Sequence, residues 1–295
     1  MLDRLLGNYM LDRGLVTKGQ LGHAYRIQEE KRAKLGVIAV SERLMTIAQA
    51  EQVNALQATM DKRFGDIAIE KGYLTQEQLG RLLELQGNSY LAFIQVLVDE
   101  GLLSMEQVNT AETDYQQLLG LTGTDMTILK TGDIDKIIPI FLESDDERTR
   151  KMFAMCVKNL YRLVDSHVFV GKAYRTGSIR DEVMAYQCFY GDENAYVAIA
   201  GKYEDIQKVA VNYTKEEFIE TKEDALDAIC ELINCMNGLY ASDISRDGIR
   251  VEMEPPEFSV VYTEARAEDI IVMPVYLSGG SVKLFISLSI DMTIK

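Results

Sequence analysis

A twelve-residue pattern returns four times at a fixed spacing: LGNYMLDRGLVT from Leu6, LGVIAVSERLMT from Leu35, FGDIAIEKGYLT from Phe64 and FIQVLVDEGLLS from Phe93. The period is 29 residues throughout, as the starts at 6, 35, 64 and 93 show. The register runs on through Thr17, Thr46, Thr75 and Ser104, through Gln20, Gln49, Gln78 and Gln107, and through Gln28, Gln57 and Gln86, with Tyr115 in the fourth place. Such a repeat constrains this part of the chain to equal supersecondary units, each of which needs neighbours to bury its apolar face.

Each unit reads as a short helix, a turn and a second helix. Ser or Thr followed three residues later by Gln is a capping box at a helix start. Gly14, Gly72 and Gly101 stand three residues before the cap, where a left-handed residue ends the preceding helix; Arg43 occupies that place in the second unit. Ile67 and Ile69, or Val96 and Val98, are placed to face neighbouring units. The expectation is an all-helical domain over residues 1–119.

The unit resembles the N-terminal repeat domain of type II secretion and type IV pilus ATPases (GspE), with the pattern RLGxxLxxxGxxxxxxLxxxLxxQ. RFGDIAIEKGYLTQEQLGRLLELQ, Arg63 to Gln86, fits it best. In some members of that family tandem units bind cyclic di-GMP, and the resemblance carries this to Lys34, Gly36, Arg63, Gly65 and Gly72. Leu5, Lys34 and Ala92 replace the initial Arg in the other units, and Ile94 replaces the first Gly in the fourth. Read from the residues alone, the alternative is that the repeats are a docking scaffold and the glycines are turn residues.

After Tyr115 the register ends, and the Gly and Thr content of GLTGTDMTILKTGD predicts a connection over 120–139. From there to 295 the order is a capped amphipathic helix in SDDERTRKMFAMCVKNLYRLVDS and strands in HVFVGKAY, EVMAYQCFYG and NAYVAIAG. Helices follow through EDIQKVAVNY and TKEDALDAICELINCMNGLYAS, then strands in IRVEMEPPEF, DIIVMPVYLSGG and VKLFISLSIDM. Strands, a pair of helices and more strands give an α+β domain over 140–295, with an antiparallel or mixed sheet covered by helices.

Between Lys222 and Ser242, Leu226, Ile229, Ile233, Met236 and Tyr240 recur at three and four and form a stripe that faces the sheet. Asp227, Glu231, Asn234 and Gly238 form a second stripe, about 60° wide, away from the first. Gly238 costs about 1 kcal/mol relative to Ala inside a helix, which makes sense where another surface comes close. Phase alone is also compatible with an ordinary solvated face.

The stretch ELINCMNG, Glu231 to Gly238, resembles the Glu-x-x-Asn signature of the CheC/CheX/FliY chemotaxis phosphatases. With one such motif the chain is similar to the CheX branch. The resemblance implies hydrolysis of an aspartyl phosphate on a CheY-like response regulator. In that case Asn234 orients the attacking water, Glu231 pairs with a partner lysine, and Asp227 and Gly238 belong to the docking surface. It also implies Mg²⁺ on the partner, no cofactor of the chain's own, and pairing of two copies through sheet edges. A non-catalytic binding module and a cyclic di-GMP effector are the alternatives.

Composition narrows the field further. The formal charge of −15, from 46 acidic and 31 basic residues, opposes binding to nucleic acid or to an anionic membrane, which both need clustered Lys and Arg. No apolar run suits a membrane helix and no secretory signal is visible, so the expectation is a cytoplasmic protein. Cys156, Cys188, Cys230 and Cys235 contain no C-x-x-C pair and read as buried free thiols. His23 and His167 are the two histidines; neither lies in a nucleophile motif, and His167 reads as structural at the start of a strand.

Overall fold

In a computed structural model, which describes residues 1–29, 33–57, 62–142, 144–216, 219–289 and 291–295, the repeat becomes four helical pairs. The pairs are α1 (Leu2–Asp12) with α2 (Lys18–Gln28), α3 (Leu35–Ser41) with α4 (Ile47–Gln57), α5 (Phe64–Glu70) with α6 (Gln76–Glu84), and α7 (Ser89–Asp99) with α8 (Met105–Leu119). Thr17, Thr75 and Ser104 each cap the second helix in a reciprocal box with Gln20, Gln78 and Gln107. Thr46 and Gln49 exchange the same two bonds, at 2.8 and 3.2 Å.

The first helix of every pair ends on a left-handed residue: Gly14 (φ 69°), Arg43 (φ 56°), Gly72 (φ 71°) and Gly101 (φ 63°). The next N–H then bonds back to the helix, from Leu15 to Met10, Leu44 to Ala39, Tyr73 to Ala68 and Leu102 to Leu97. This is the Schellman ending, and Arg43 adopts it although its Cβ makes the conformation costly. Helix α7 is apolar nearly all round, and Tyr90 through Leu97 are all buried. It packs on α1, α2 and α3, so the last pair closes onto the first.

The connection expected over 120–139 is corrected by the structure. Thr122 and Asp125 form a capping box that starts α9 (Gly123–Thr131), whose Met126 and Leu129 are buried. Lys130 pairs with Glu112 at 2.7 Å, and Asn88 donates to the Lys130 carbonyl at 2.5 Å. Gly120 and Gly132, both left-handed, punctuate a helix and do not line a loop. The chain divides into compact units at Met1–Gly132 and Asp133–Lys295.

The second unit begins with α10 (Ile134–Leu142) and α11 (Glu147–Asn159), which runs on as a π turn over Leu160–Val164. Then come β1 (Phe169–Val170), β2 (Tyr174–Asp181), β3 (Val183–Gly191), β4 (Ala195–Gly201), α12 (Tyr203–Thr214) and α13 (Lys222–Ile244). The chain ends with β5 (Val251–Met253), β6 (Glu257–Ser259), β7 (Thr263–Leu277), β8 (Gly280–Ser287) and β9 (Thr293–Ile294). The strand order is β1-β7-β8-β4-β3-β5, with β2 and β9 also on β7 and β6 also on β3. Every pairing is antiparallel.

The unit therefore has the expected α+β class. Helix α13 lies against β3 and β4, and α12 against β4 and β8. Successive strand residues point to opposite faces, and the other face is buried too: Ile179, Met184, Ala198, Ala200, Ala265, Ile270, Val272, Phe285 and Met292 form a second small core. The curl of the sheet that makes this possible comes from β7, whose first half pairs with β2 and β9 and whose second half pairs with β1 and β8.

Candidate functional site

Helix α13 starts at Thr221, whose side chain accepts from the Asp224 N–H at 3.1 Å, and runs 23 residues. Leu226, Ile229, Ile233, Met236 and Tyr240 are between 0 and 3% exposed, so the apolar stripe lies where helical phase puts it. Its C-terminal half is pinned twice. Tyr240 donates to Glu193 at 2.7 Å, which also pairs with Arg148 at 2.9 Å, and Lys151 pairs with Asp243 at 2.8 Å.

On the other stripe Asp227, Glu231 and Asn234 are exposed and Gly238 is half-buried. A Cβ at Gly238 would meet only the Met253 methyl, at 3.9 Å, so nothing among the described residues requires glycine there. Leu239 and Met253 beside it are exposed to 42% and 40%, which places an apolar patch next to the polar stripe.

Asn234 is not a free surface amide. Its Oδ1 accepts from Gln187 Nε2 at 2.7 Å. The same Nε2 donates to the Glu254 carbonyl at 2.8 Å, and Gln187 Oε1 accepts from Asn237 Nδ2 at 2.9 Å. Gln187 and Asn237 are each 1% exposed. Strand β3 supplies Gln187 opposite the gap between β5 and β6, where Glu254 is held by its N–H bond to the Cys188 carbonyl at 3.0 Å. Pro255 and Pro256 follow it and fix the backbone further.

Gln187 and Asn237 escaped the sequence reading, although each left a trace. Val183, Ala185, Gln187 and Phe189 share one face of β3, so a glutamine stands in the buried phase of the strand. Asn237 sits beside Ile233, Met236 and Tyr240 in the buried phase of the helix.

The residues that the repeat resemblance assigns to cyclic di-GMP lie on and around α3 and α5. Gly36 and Gly65 are buried helix residues whose added Cβ would lie 3.1 Å from the Phe64 ring and 2.6 Å from a Leu79 methyl, so both serve helix packing. Gly72 is the left-handed residue after α5. Lys34 pairs with Asp99 at 3.0 Å, and Arg63 is the exposed N-cap of α5.

All four cysteines are free. Cys156 and Cys230 are buried, and burial pushes both thiols up to about 12, out of the range of a nucleophile at neutral pH. Cys188 and Cys235 are only half-buried, which departs from the reading of four buried thiols. His167 lies just before β1 with Nδ1 3.3 Å from Asp165 Oδ1. Burial works against ionisation of Asp165, but hydrogen bonds from His167 and the Ser278 N–H outweigh it and hold the carboxyl well below the usual range. Among the described residues no cluster of three or more His, Cys, Asp or Glu could hold a metal, and no helix is long and apolar enough to cross a membrane.

Residues 133–295 are thus an α+β domain with helices on an antiparallel sheet and with Glu-x-x-Asn displayed on the longest helix. The family model of the chemotaxis phosphatase CheX matches residues 183–264, a span from β3 to the start of β7 that contains all of α13. No curated protein matches the chain. Among solved structures, the chemotaxis protein CheX from Desulfovibrio desulfuricans is 14% identical over 49% of this chain and 100% of its own, with a TM-score of 0.42. The CheX–CheY–BeF3–Mg complex from Borrelia burgdorferi gives 15%, 50%, 98% and 0.40, and Thermotoga maritima FliY gives 15%, 58%, 92% and 0.33. The family match includes none of residues 1–132.

Proposed function

We propose that the second unit is a phosphatase of a CheY-like response regulator, which hydrolyses the regulator's aspartyl phosphate. The observation that carries this reading is that Glu231 and Asn234 stand together, exposed, on a helix inside the CheX family match, with Asn234 held in one orientation from beneath. The unexplained Gly238 beside an apolar patch supports it, since that is where a partner's surface would approach.

In the reaction the water oxygen bonds to phosphorus as the bond from phosphorus to the aspartyl oxygen breaks. Aspartate is released as its carboxylate, and both hydrogens of the water leave with the phosphate as dihydrogen phosphate. Such a reaction depends chiefly on placing the water in line and on stabilising charge. A neutral amide can enter beside a phosphoryl group, whereas a carboxylate there would be repelled. Asn234 is therefore the residue that reaches the phosphate. Glu231, one turn away, pairs with a lysine on the partner and keeps the complex in register. A Mg²⁺ on the partner would withdraw charge from the phosphoryl oxygens and make the phosphorus more electrophilic.

The test is to mix the protein with acetyl-phosphate-labelled response regulators from its own genome and follow loss of the acyl phosphate. Asn234→Ala is expected to cut turnover roughly a hundredfold while the partner still binds. Glu231→Ala is expected to weaken binding as well as turnover. Binding by the wild-type protein without any hydrolysis would leave a non-catalytic module in place of a phosphatase.

A further inference from the structure

We infer that Gln187 is a positioning residue for the proposed hydrolysis: it holds Asn234 with its oxygen inward and its NH2 outward, so that Asn234 meets the partner as a hydrogen-bond donor. The inference rests on the phosphatase reading above.

One backbone carbonyl decides the whole chain of amides. The Glu254 oxygen can only accept, so the group of Gln187 that faces it at 2.8 Å is the NH2. That nitrogen has two hydrogens. The second points at Asn234, 2.7 Å away, which must therefore turn its Oδ1 inward. Gln187 then has only Oε1 to offer on its other side, and Asn237 answers with its NH2 at 2.9 Å.

Rotating Asn234 by half a turn would set NH2 against NH2 and leave a buried donor of Gln187 unpaired, which costs more than the bond itself is worth. Gln187 and Asn237 are each 1% exposed, so water does not stand in for the lost partner. Of the two polar atoms of the Asn234 amide, Oδ1 is taken by Gln187 and Nδ2 is left without a hydrogen bond among the described residues. An N–H donor is the right group to place the attacking water, because it holds the water by one lone pair and leaves the other for phosphorus. A carbonyl turned outward would bind the water through its hydrogen and would not fix that lone pair in line.

The experiment compares wild type, Gln187→Leu, Asn237→Ala and Asn234→Ala, and the double variants of the first two with the third, against an acetyl-phosphate-labelled response regulator. Side-chain amide NMR of Asn234 and thermal midpoints accompany the kinetics. Gln187→Leu is expected to lower kcat roughly tenfold or more with KM within about twofold of wild type. It should also shift the Asn234 amide signals, and it should add nothing once Asn234 is Ala. Asn237→Ala, which removes only the bond to Oε1, should act the same way more weakly, and it carries the test should Gln187→Leu not fold. An active wild type with unchanged kcat in these folded variants overturns the inference and spares the phosphatase reading. A loss of the same size with Asn234 already Ala also overturns it, because the role is then structural. A wild type without activity overturns both.

Discussion

Gly238 and Gly65 show two ways in which a glycine can serve a helix. At Gly65 a Cβ would collide with Leu79, so the residue is needed by the fold. At Gly238 only the Met253 methyl comes within reach among the described residues, so the fold bears the conformational cost of glycine without using the space it leaves. Gly238→Ala is therefore expected to stabilise the second unit by roughly 0.5–1 kcal/mol in chemical denaturation and to weaken binding of the response regulator. Gly65→Ala should destabilise the first unit. Helical phase makes the exposure of Asp227, Glu231 and Asn234 legible without any coordinates. It says nothing of Gln187, because no local pattern tells that an amide 47 residues away lies beneath Asn234.

Among the elements, the caps are the most readable, because a capping box is a contact between residues three apart and needs no tertiary knowledge. Arg43 shows that the conformation of the turn comes from the repeat as a whole, since it is left-handed without being glycine. Arg43→Gly is expected to raise the stability of the first unit by about 0.5–1 kcal/mol, measured as a shift in the denaturation midpoint. Strand β2 and the first half of β7 escape a reading by pattern for a physical reason. YRTGSIRD and TEARAE carry charges where a strand usually alternates with apolar residues, and those charges are satisfied across the ladder. Arg180 and Glu264 are register partners 2.9 Å apart, and Arg175 pairs with Asp269. Helix α9 passes for a connection as long as its flanking glycines are weighed above its capping box.

For the molecule as a whole, the boundary at Gly132 has a direct test. Fragments 1–132 and 133–295 are each expected to unfold cooperatively in thermal circular dichroism, since each has its own core. A fragment ending at 119 loses the burial of Met126 and Leu129 and should be less stable than 1–132 by roughly 2–4 kcal/mol after ordering costs. Equal stability of the two fragments would place α9 outside the first unit. The carbonyl of Glu254, held between β5 and β6, has a consequence for portability. The eight letters ELINCMNG grafted onto an exposed helix of another scaffold would display a freely rotating amide. What has to travel with them is a turn and a strand, so a search for working relatives does better to ask for the buried glutamine than for the motif.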